Sequence, residues 1–131
     1  MNDADQQLGN LRKCAFSYAL EGIRLCQFLQ TANEPVGKFF AQQYLSSVTL
    51  IGTNLAEIEY CDTPNSVRKN YIQARKEARK SLYILNLLDK ANLVPPNRIK
   101  VLITDTEKLI TLITKLIFAT EQEKKITIEN E

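Results

Sequence analysis

Six cationic side chains lie within thirteen residues near the middle of the chain, where they could bind phosphate groups. Lysine and arginine clustered on one face are the usual electrostatic footprint of nucleic-acid binding. The formal net charge of the 131 residues is only +2, so binding would depend on this cluster and not on a generally basic chain. A solvated face without a ligand is the alternative interpretation. The cluster, called the basic face, consists of Arg68, Lys69, Arg75, Lys76, Arg79 and Lys80, with Glu77 as the one interspersed acid.

Enzymatic chemistry finds little support in the residue types. The chain has no histidine, which removes the commonest general base and the usual zinc ligand. Its four glycines are scattered and form no phosphate-binding loop. Asn54, Glu57 and Glu77 are predicted to form a polar cluster between two helices, and we expect it to be structural because no nucleophile lies near it. We therefore predict a non-enzymatic protein without catalytic residues, metal or cofactor.

The elements that position these residues are predicted from apolar periodicity. Apolar residues recur at alternating steps of three and four in four segments, which is typical of helices with one buried face. In the third segment, this pattern places the basic face opposite the buried residues. Those buried residues are Val67, Tyr71, Ala74, Ala78, Ser81, Leu85 and Leu88. The predicted helices cover residues 7–30, residues 36–60, residues 64–91, and a segment from 96 or 97 to 121.

Proline residues and short polar breaks separate the predicted helices. Pro35 and Pro64 suit the first turn of a helix, and Asp62 or Thr63 can cap the third helix. No segment has the alternation of a strand. Short connections between long helices favour antiparallel neighbours. The predicted fold is therefore all-α, an antiparallel up-down-up-down four-helix bundle.

The whole chain is predicted to be one soluble, cytoplasmic unit with no membrane partner. Residues 1–7 are polar and acidic, unlike a secretory signal. The longest apolar stretch, residues 109–118, is interrupted by polar residues and is about half the length that a membrane span needs. The bundle domain is expected over residues 1–121, followed by a flexible charged tail over residues 122–131.

The fourth predicted helix has more apolar positions than one bundle core requires. We favour burial of the excess against another copy of the chain or another protein, with a wide intramolecular core as the alternative. The proposed oligomer interface consists of Ile103, Ile110, Leu112, Ile117 and Phe118, together with part of the first helix.

Three residue types give smaller predictions. The three cysteines have no zinc-motif spacing, so we expect small buried thiols at the positions Cys14, Cys26 and Cys61. Gly22 and Gly52 lie inside predicted helices, where close approach of a second helix would explain them. Tyr83 follows the basic face by one turn and could stack on a base, but partial burial is the favoured interpretation.

The second and third helices carry motifs that are similar to those of a known family. The chain resembles the ribosomal-RNA intervening-sequence proteins, also called four-helix bundle proteins, over about residues 10–120. The matching residues in the second helix are Gln43, Ser47, Thr49, Gly52, Asn54 and Glu57. Those in the third are Lys76, Glu77, Ala78, Ser81, Tyr83, Leu85, Leu87 and Leu88, and those in the fourth are Glu107, Leu109 and Ile113. The chain departs from the family pattern at Ser46, Leu50, Val67 and Ile84.

This resemblance implies a bundle that assembles as a homo-oligomer, a pentameric ring, without known enzymatic activity or cofactor. It also implies a link to structured RNA, because members are encoded within inserts of ribosomal RNA genes. A related branch consists of accessory proteins of diversity-generating reverse transcriptases. We therefore predict binding of RNA or DNA, or of a ribonucleoprotein, through the basic face. The alternative is a protein-interaction adaptor, for example an accessory subunit of a reverse transcriptase.

Overall fold

Four long α-helices account for almost all of the chain. The computed structural model describes the backbone of residues 3–129 and the side chains of residues 3–122. No strand occurs within residues 3–129, so the predicted all-α class is confirmed. The helices are α1 (Asp3–Thr31), α2 (Pro35–Glu57), α3 (Pro64–Lys90) and α4 (Pro96–Glu129), and one 3-10 turn follows α2 at Ile58–Tyr60.

Side chains and prolines determine where α2 and α3 begin. The Glu34 carboxylate accepts hydrogen bonds from two backbone N–H groups in the first turn of α2. Pro35, the residue that follows Glu34, opens the helix. Thr63, one of the two predicted caps, accepts from the Ser66 N–H, and the Ser66 hydroxyl accepts from the Thr63 N–H. These contacts satisfy donors that a helix leaves unpaired at its start. Pro35 and Pro64 occupy the first helical positions, as predicted.

The ends of α1 and α3 lie within one residue of the predictions, whereas α1 begins at Asp3 and not at residue 7, and α4 ends later than predicted. Asn33 after α1 and Asn92 after α3 have φ angles of 53° and 58°, a left-handed conformation that asparagine tolerates better than most residues. The α4 helix continues to Glu129, although we predicted its end at Glu121. No glycine or proline follows Pro96, and the residues after Glu121 are mostly good helix formers. The described backbone of residues 122–129 is helical, residues 130 and 131 lie outside the described residues, and the flexibility of the charged tail over residues 122–131 stays a prediction.

Hydrogen bonds between helices establish their directions. At least two hydrogen bonds connect each of three helix pairs, α1 with α2, α1 with α4, and α3 with α4. In each of these pairs, residue numbers fall along one helix as they rise along the other. Antiparallel pairing of α1 with both α2 and α4, and of α3 with α4, makes α2 and α3 antiparallel too. The order is therefore the predicted up-down-up-down bundle. The pairs are Arg12–Leu55 and Cys26–Ala41, Tyr18–Thr106 and Arg24–Arg98, and Arg68–Glu121 and Arg75–Thr114.

One continuous apolar core runs through the bundle, with contributions from all four helices. The predicted buried line of α3 is confirmed, since six of its members are buried and Val67 is half-buried against them. Ala74, Ala78 and Ser81 are small, so the α3 backbone can lie close to its neighbours. Within the described residues, no helix is both long and apolar enough to span a membrane.

A buried chain of hydroxyl groups crosses this core. Tyr44 donates to the Tyr18 hydroxyl at 2.9 Å, and the Tyr18 and Thr106 hydroxyls lie 2.5 Å apart. Thr106 donates in turn to the Leu102 carbonyl at 2.7 Å, so Tyr18 must donate to Thr106. Burial raises the pKa of both phenols above the ordinary value, which keeps them neutral and able to donate. This chain of hydroxyl groups joins α2, α1 and α4.

The two internal glycines have different surroundings. A Cβ atom at Gly22 would lie 3.3 Å from both the Tyr44 ring and the Val48 side chain. Close packing of α1 on α2 therefore explains this glycine, as predicted. A Cβ atom at Gly52 would meet nothing within 4 Å, so the same prediction is wrong there.

The cysteines also differ from one another. Cys26 is buried and donates from its thiol to the Ala41 carbonyl, and burial raises its pKa to about 11. Cys61 is half-buried, whereas Cys14 is exposed, so the prediction of buried thiols is wrong for Cys14. Cys14 lies next to the buried line of α1 in the sequence, and helical periodicity carries its side chain to the edge of that line.

Leucine substitutions at the two glycines will separate close packing from helix propensity. Gly22→Leu should lower the free energy of unfolding by about 1–3 kcal/mol, because the new side chain meets Tyr44 and Val48. Gly52→Leu should leave it unchanged or raise it by up to about 1 kcal/mol, since the site is open. Urea unfolding measures both, and equal losses at the two sites would contradict this account.

Removing single phenol oxygens will test the buried hydroxyl chain. Tyr18→Phe should cost about 1–3 kcal/mol of unfolding free energy, because the buried Tyr44 hydroxyl loses its acceptor. Tyr44→Phe should cost only about 1 kcal/mol, because Tyr18 still donates to Thr106. Thermal and urea unfolding provide the comparison, and a larger loss for Tyr44→Phe would disprove the proposed direction of the chain.

Candidate nucleic-acid interface

Four of the six predicted cations form an exposed group on the outer side of α3. The buried line of α3 faces the core, and these four side chains fall on the opposite part of the helix. Within the described side chains, none of the four forms an ion pair or a hydrogen bond with another residue. Their charges are therefore available to a ligand. This group, called the exposed quartet, consists of Lys69, Lys76, Arg79 and Lys80.

The other two cations of the basic face turn toward α4. Arg68 donates from Nε and Nη2 to Oε1 of Glu121, at 3.0 and 2.7 Å. Arg75 donates to the Thr114 hydroxyl at 3.3 Å. Both arginines are half-buried, and the Glu121 carboxylate partly neutralises Arg68. The predicted shared exposed face thus holds for four residues, while Arg68 and Arg75 lie at the boundary between α3 and α4.

Tyr83 lies in the open beside the exposed quartet. Its side chain is 66% exposed, so the expectation of partial burial is wrong. Tyr83 follows Lys76 by seven residues, which places the two on nearly the same line of the helix. Lys90 follows Tyr83 by another seven residues and is also exposed, although the sequence analysis did not include it. The signal was present in the sequence, because the apolar period of α3 leaves position 83 outside the buried line.

The predicted polar cluster shows separate environments for its members. Asn54 donates to the Leu50 carbonyl of its own helix at 2.8 Å, and Glu57 is exposed. Glu77 is half-buried, and one of its carboxylate oxygens is buried without a hydrogen-bond partner among the described residues. Within the part of the chain that the structure describes, the buried hydroxyl of Ser47 likewise has no hydrogen-bond partner. Among the side chains that the structure describes, no hydrogen bond joins the three predicted members, and the structural role of the cluster stays a prediction.

The apolar excess of α4 lies mostly inside the bundle. Ile117 is only 4% exposed and belongs to the core, while Ile103, Ile110 and Leu112 are half-buried against it. Ile117 therefore has little surface left for a partner, and a wide intramolecular core accounts for much of the excess. Phe118 is 60% exposed. It remains the member of the predicted oligomer interface with most surface to bury.

A second apolar surface lies on α1, the helix of which an unspecified part was predicted to join the subunit contact. Phe16 is exposed there, together with Leu20 and Ile23 one to two turns further along the helix. These positions lie on the outer side of α1, away from its buried residues. Their spacing of three and four residues was the available signal in the sequence. Surfaces of this kind favour contact with another protein chain.

The comparisons with known proteins support the fold. No family model and no curated protein matches the chain. Among solved structures, a protein of unknown function from the S23 ribosomal protein family of Bacteroides thetaiotaomicron matches with a TM-score of 0.78 and 23% sequence identity. The match covers 85% of this chain and 97% of that protein. At this identity the similarity shows the fold alone, and membership of the intervening-sequence family is not shown.

The contact between α3 and α4 can be tested with a double-mutant cycle. Arg68→Gln and Glu121→Gln should show a coupling of about 0.2–1 kcal/mol in the free energy of unfolding, as expected for a partly exposed ion pair. Lys69→Gln provides the matched control, because Lys69 is exposed and has no ion pair among the described side chains. A coupling of equal size between Lys69 and Glu121 would contradict the assigned contact.

Proposed function

We propose that this protein is a non-enzymatic, homo-oligomeric helical bundle that binds nucleic acid or a ribonucleoprotein. The observation that carries the proposal is the exposed quartet, four cations on one side of α3 without an ion pair among the described side chains. Cations that are solvated and unpaired can exchange their counterions for phosphates, which is the main source of sequence-independent affinity. Arg68 and Arg75 contribute less in this proposal, because α4 already engages their guanidinium groups.

The geometry of α3 suits contact with several phosphates along one strand. Lys69 and Lys76 are two turns apart, about 10 Å along the helix axis. Arg79 and Lys80 follow within the next turn. If all four contact phosphates, the logarithm of the binding constant should fall against the logarithm of salt concentration with a slope of about −3.6 on duplex DNA and about −2.8 on single strands.

A ring of subunits would strengthen this modest charge. Each additional copy presents another exposed quartet, and simultaneous contacts raise the effective concentration of the remaining sites. The resemblance to the intervening-sequence proteins supports a pentameric ring and a link with structured RNA. The fold shared with the S23 family protein is compatible with that resemblance. Exposed Phe118 supplies apolar surface for a subunit contact. A cytoplasmic location, where RNA and ribonucleoproteins are accessible, completes the proposal.

A protein-interaction adaptor is the second candidate function. The exposed apolar residues of α1, Phe16, Leu20 and Ile23, favour it, because such a surface contributes nothing to phosphate binding. In this version the bundle serves as an accessory subunit, for example of a reverse transcriptase, and the exposed quartet contacts an acidic surface. Co-purification of a polymerase with the tagged protein, insensitive to nuclease, would favour the adaptor over direct binding.

Charge-matched variants will test the nucleic-acid proposal. Changing the exposed quartet to glutamine removes four positive charges from α3, and we expect at least tenfold weaker binding to structured RNA or DNA at low salt. Electrophoretic shift at two salt concentrations measures the loss. The control changes four exposed lysines elsewhere, Lys13, Lys100, Lys108 and Lys115, and so alters the net charge equally.

The two variants together decide the question. Retained binding by the control with lost binding by the quartet variant supports the proposal. Equal retardation of the nucleic acid by the wild type and by the quartet variant would contradict the proposal. Absence of binding by the wild type at low salt would contradict it as well. Light scattering on the same samples gives the molar mass, and a monomer would remove the ring.

A further inference from the structure

We infer that the ligand of the exposed quartet is single-stranded nucleic acid, with Tyr83 stacking on one of its bases. This inference rests on the proposed nucleic-acid function and adds the strand class and a recognition residue. The observation behind it is the position of a largely exposed aromatic ring within a cationic surface. Proteins that bind single strands without sequence preference combine these two features, cations for the backbone and an aromatic ring for the bases.

The exposure of Tyr83 is not explained by the packing of the bundle. The ring is 66% exposed, and its hydroxyl makes no hydrogen bond with another described residue. Aromatic rings give most of their stabilisation when they are buried. Leu87, one turn further along α3, is also exposed and extends the apolar surface beside the ring. Together they offer a small flat platform on an otherwise charged side of the helix.

Cations lie on both sides of this platform. Arg79 and Lys80 precede Tyr83 by about one turn, and Lys76 and Lys90 lie about 10 Å before and after it along the axis. A strand that follows α3 can therefore place phosphates near cations on either side of a base that stacks on Tyr83. All of these residues belong to one helix, so the spacing of their backbone positions is fixed before a ligand binds, while the long cationic side chains can adjust to the phosphates.

A duplex would not use this platform. In a double helix, the faces of the bases are stacked on one another, and a ring on the convex surface of an α-helix would have to displace a base to reach one. In a single strand, the faces of the bases are accessible, and every base has one. An acidic polypeptide would satisfy the cations but offers no base to the ring. The combination on α3 thus favours a single strand over both.

Binding measurements with two tyrosine variants will test this inference. Tyr83→Ala should weaken binding of a homothymidine or homouridine oligonucleotide by about 5- to 150-fold, while binding of a blunt DNA duplex should change less than twofold. Fluorescence anisotropy with labelled oligonucleotides measures both. Tyr60→Ala is the matched control, because Tyr60 is 74% exposed but lies between Glu59 and Cys61, close to Asp62, and away from the quartet in the sequence.

A direct readout of stacking is also available, since the chain contains no tryptophan. Tyr83→Trp introduces a single indole at the platform, and its emission should be quenched on addition of the single strand. Tyr60→Trp, at the acidic site, should show no quenching. Both substitutions are at exposed positions, so we expect unchanged helical content, which circular dichroism will check.

The outcomes separate this inference from the proposed function. If Tyr83→Ala binds both the single strand and the duplex as tightly as the wild type does, and the emission of Tyr83→Trp is not quenched, the inference fails while nucleic-acid binding survives. If the wild type binds no oligonucleotide at low salt, or binds polyglutamate in its place, the proposed function fails and the inference with it. Selective loss of single-strand binding with quenching at position 83 alone supports both.

Discussion

The hydrogen-bond chain from Tyr44 through Tyr18 to Thr106 constrains how the helices can pack. Apolar stripes alone would tolerate a shift of one helix by a turn, because one apolar side chain can replace another. The three hydroxyls can form their hydrogen bonds only when they lie at the same height along the bundle. A buried polar group without a hydrogen-bond partner is costly in free energy. This hydrogen-bond chain therefore sets the relative positions of α2, α1 and α4. Since α3 packs between α2 and α4, its register follows from theirs.

That register decides which cations of α3 are available to a ligand. Glu121 and Thr114 of α4 lie opposite Arg68 and Arg75, and hold them at the helix boundary. The side chains of the exposed quartet form no ion pair or hydrogen bond with α4 among the described side chains. Small core-facing residues on the inner side of α3 allow close packing against the neighbouring helices. The long cationic side chains lie at the other positions of the helix and project outward or sideways. The inner face thus determines the fold, and the outer face determines the charge that a partner meets.

The sequence predicted most of the fold because periodicity and prolines are local signals. The buried line of α3, the cap at Thr63, and the prolines at the first positions of α2 and α3 all depend on neighbours within a few residues. Contacts between helices were harder to predict. Nothing in the sequence indicated that Arg68 would meet Glu121, that Gly52 would face open space, or that three hydroxyls would join across the core. Each depends on the rotation of one helix relative to another, which periodicity alone leaves open.

Fold similarity does not by itself determine what the outer face of α3 does. The S23 family protein shares this fold at 23% identity, which means that most side chains can change while the four helices keep their arrangement. The residues that maintain the bundle point inward or lie at helix boundaries, and substitutions on the outer side of α3 leave them untouched. The packing of the helices therefore does not require the exposed side chains of Lys76, Arg79, Lys80 and Tyr83. Their common placement on the outer side of α3 is the feature that the proposed ligand, with both negative charge and aromatic faces, would explain.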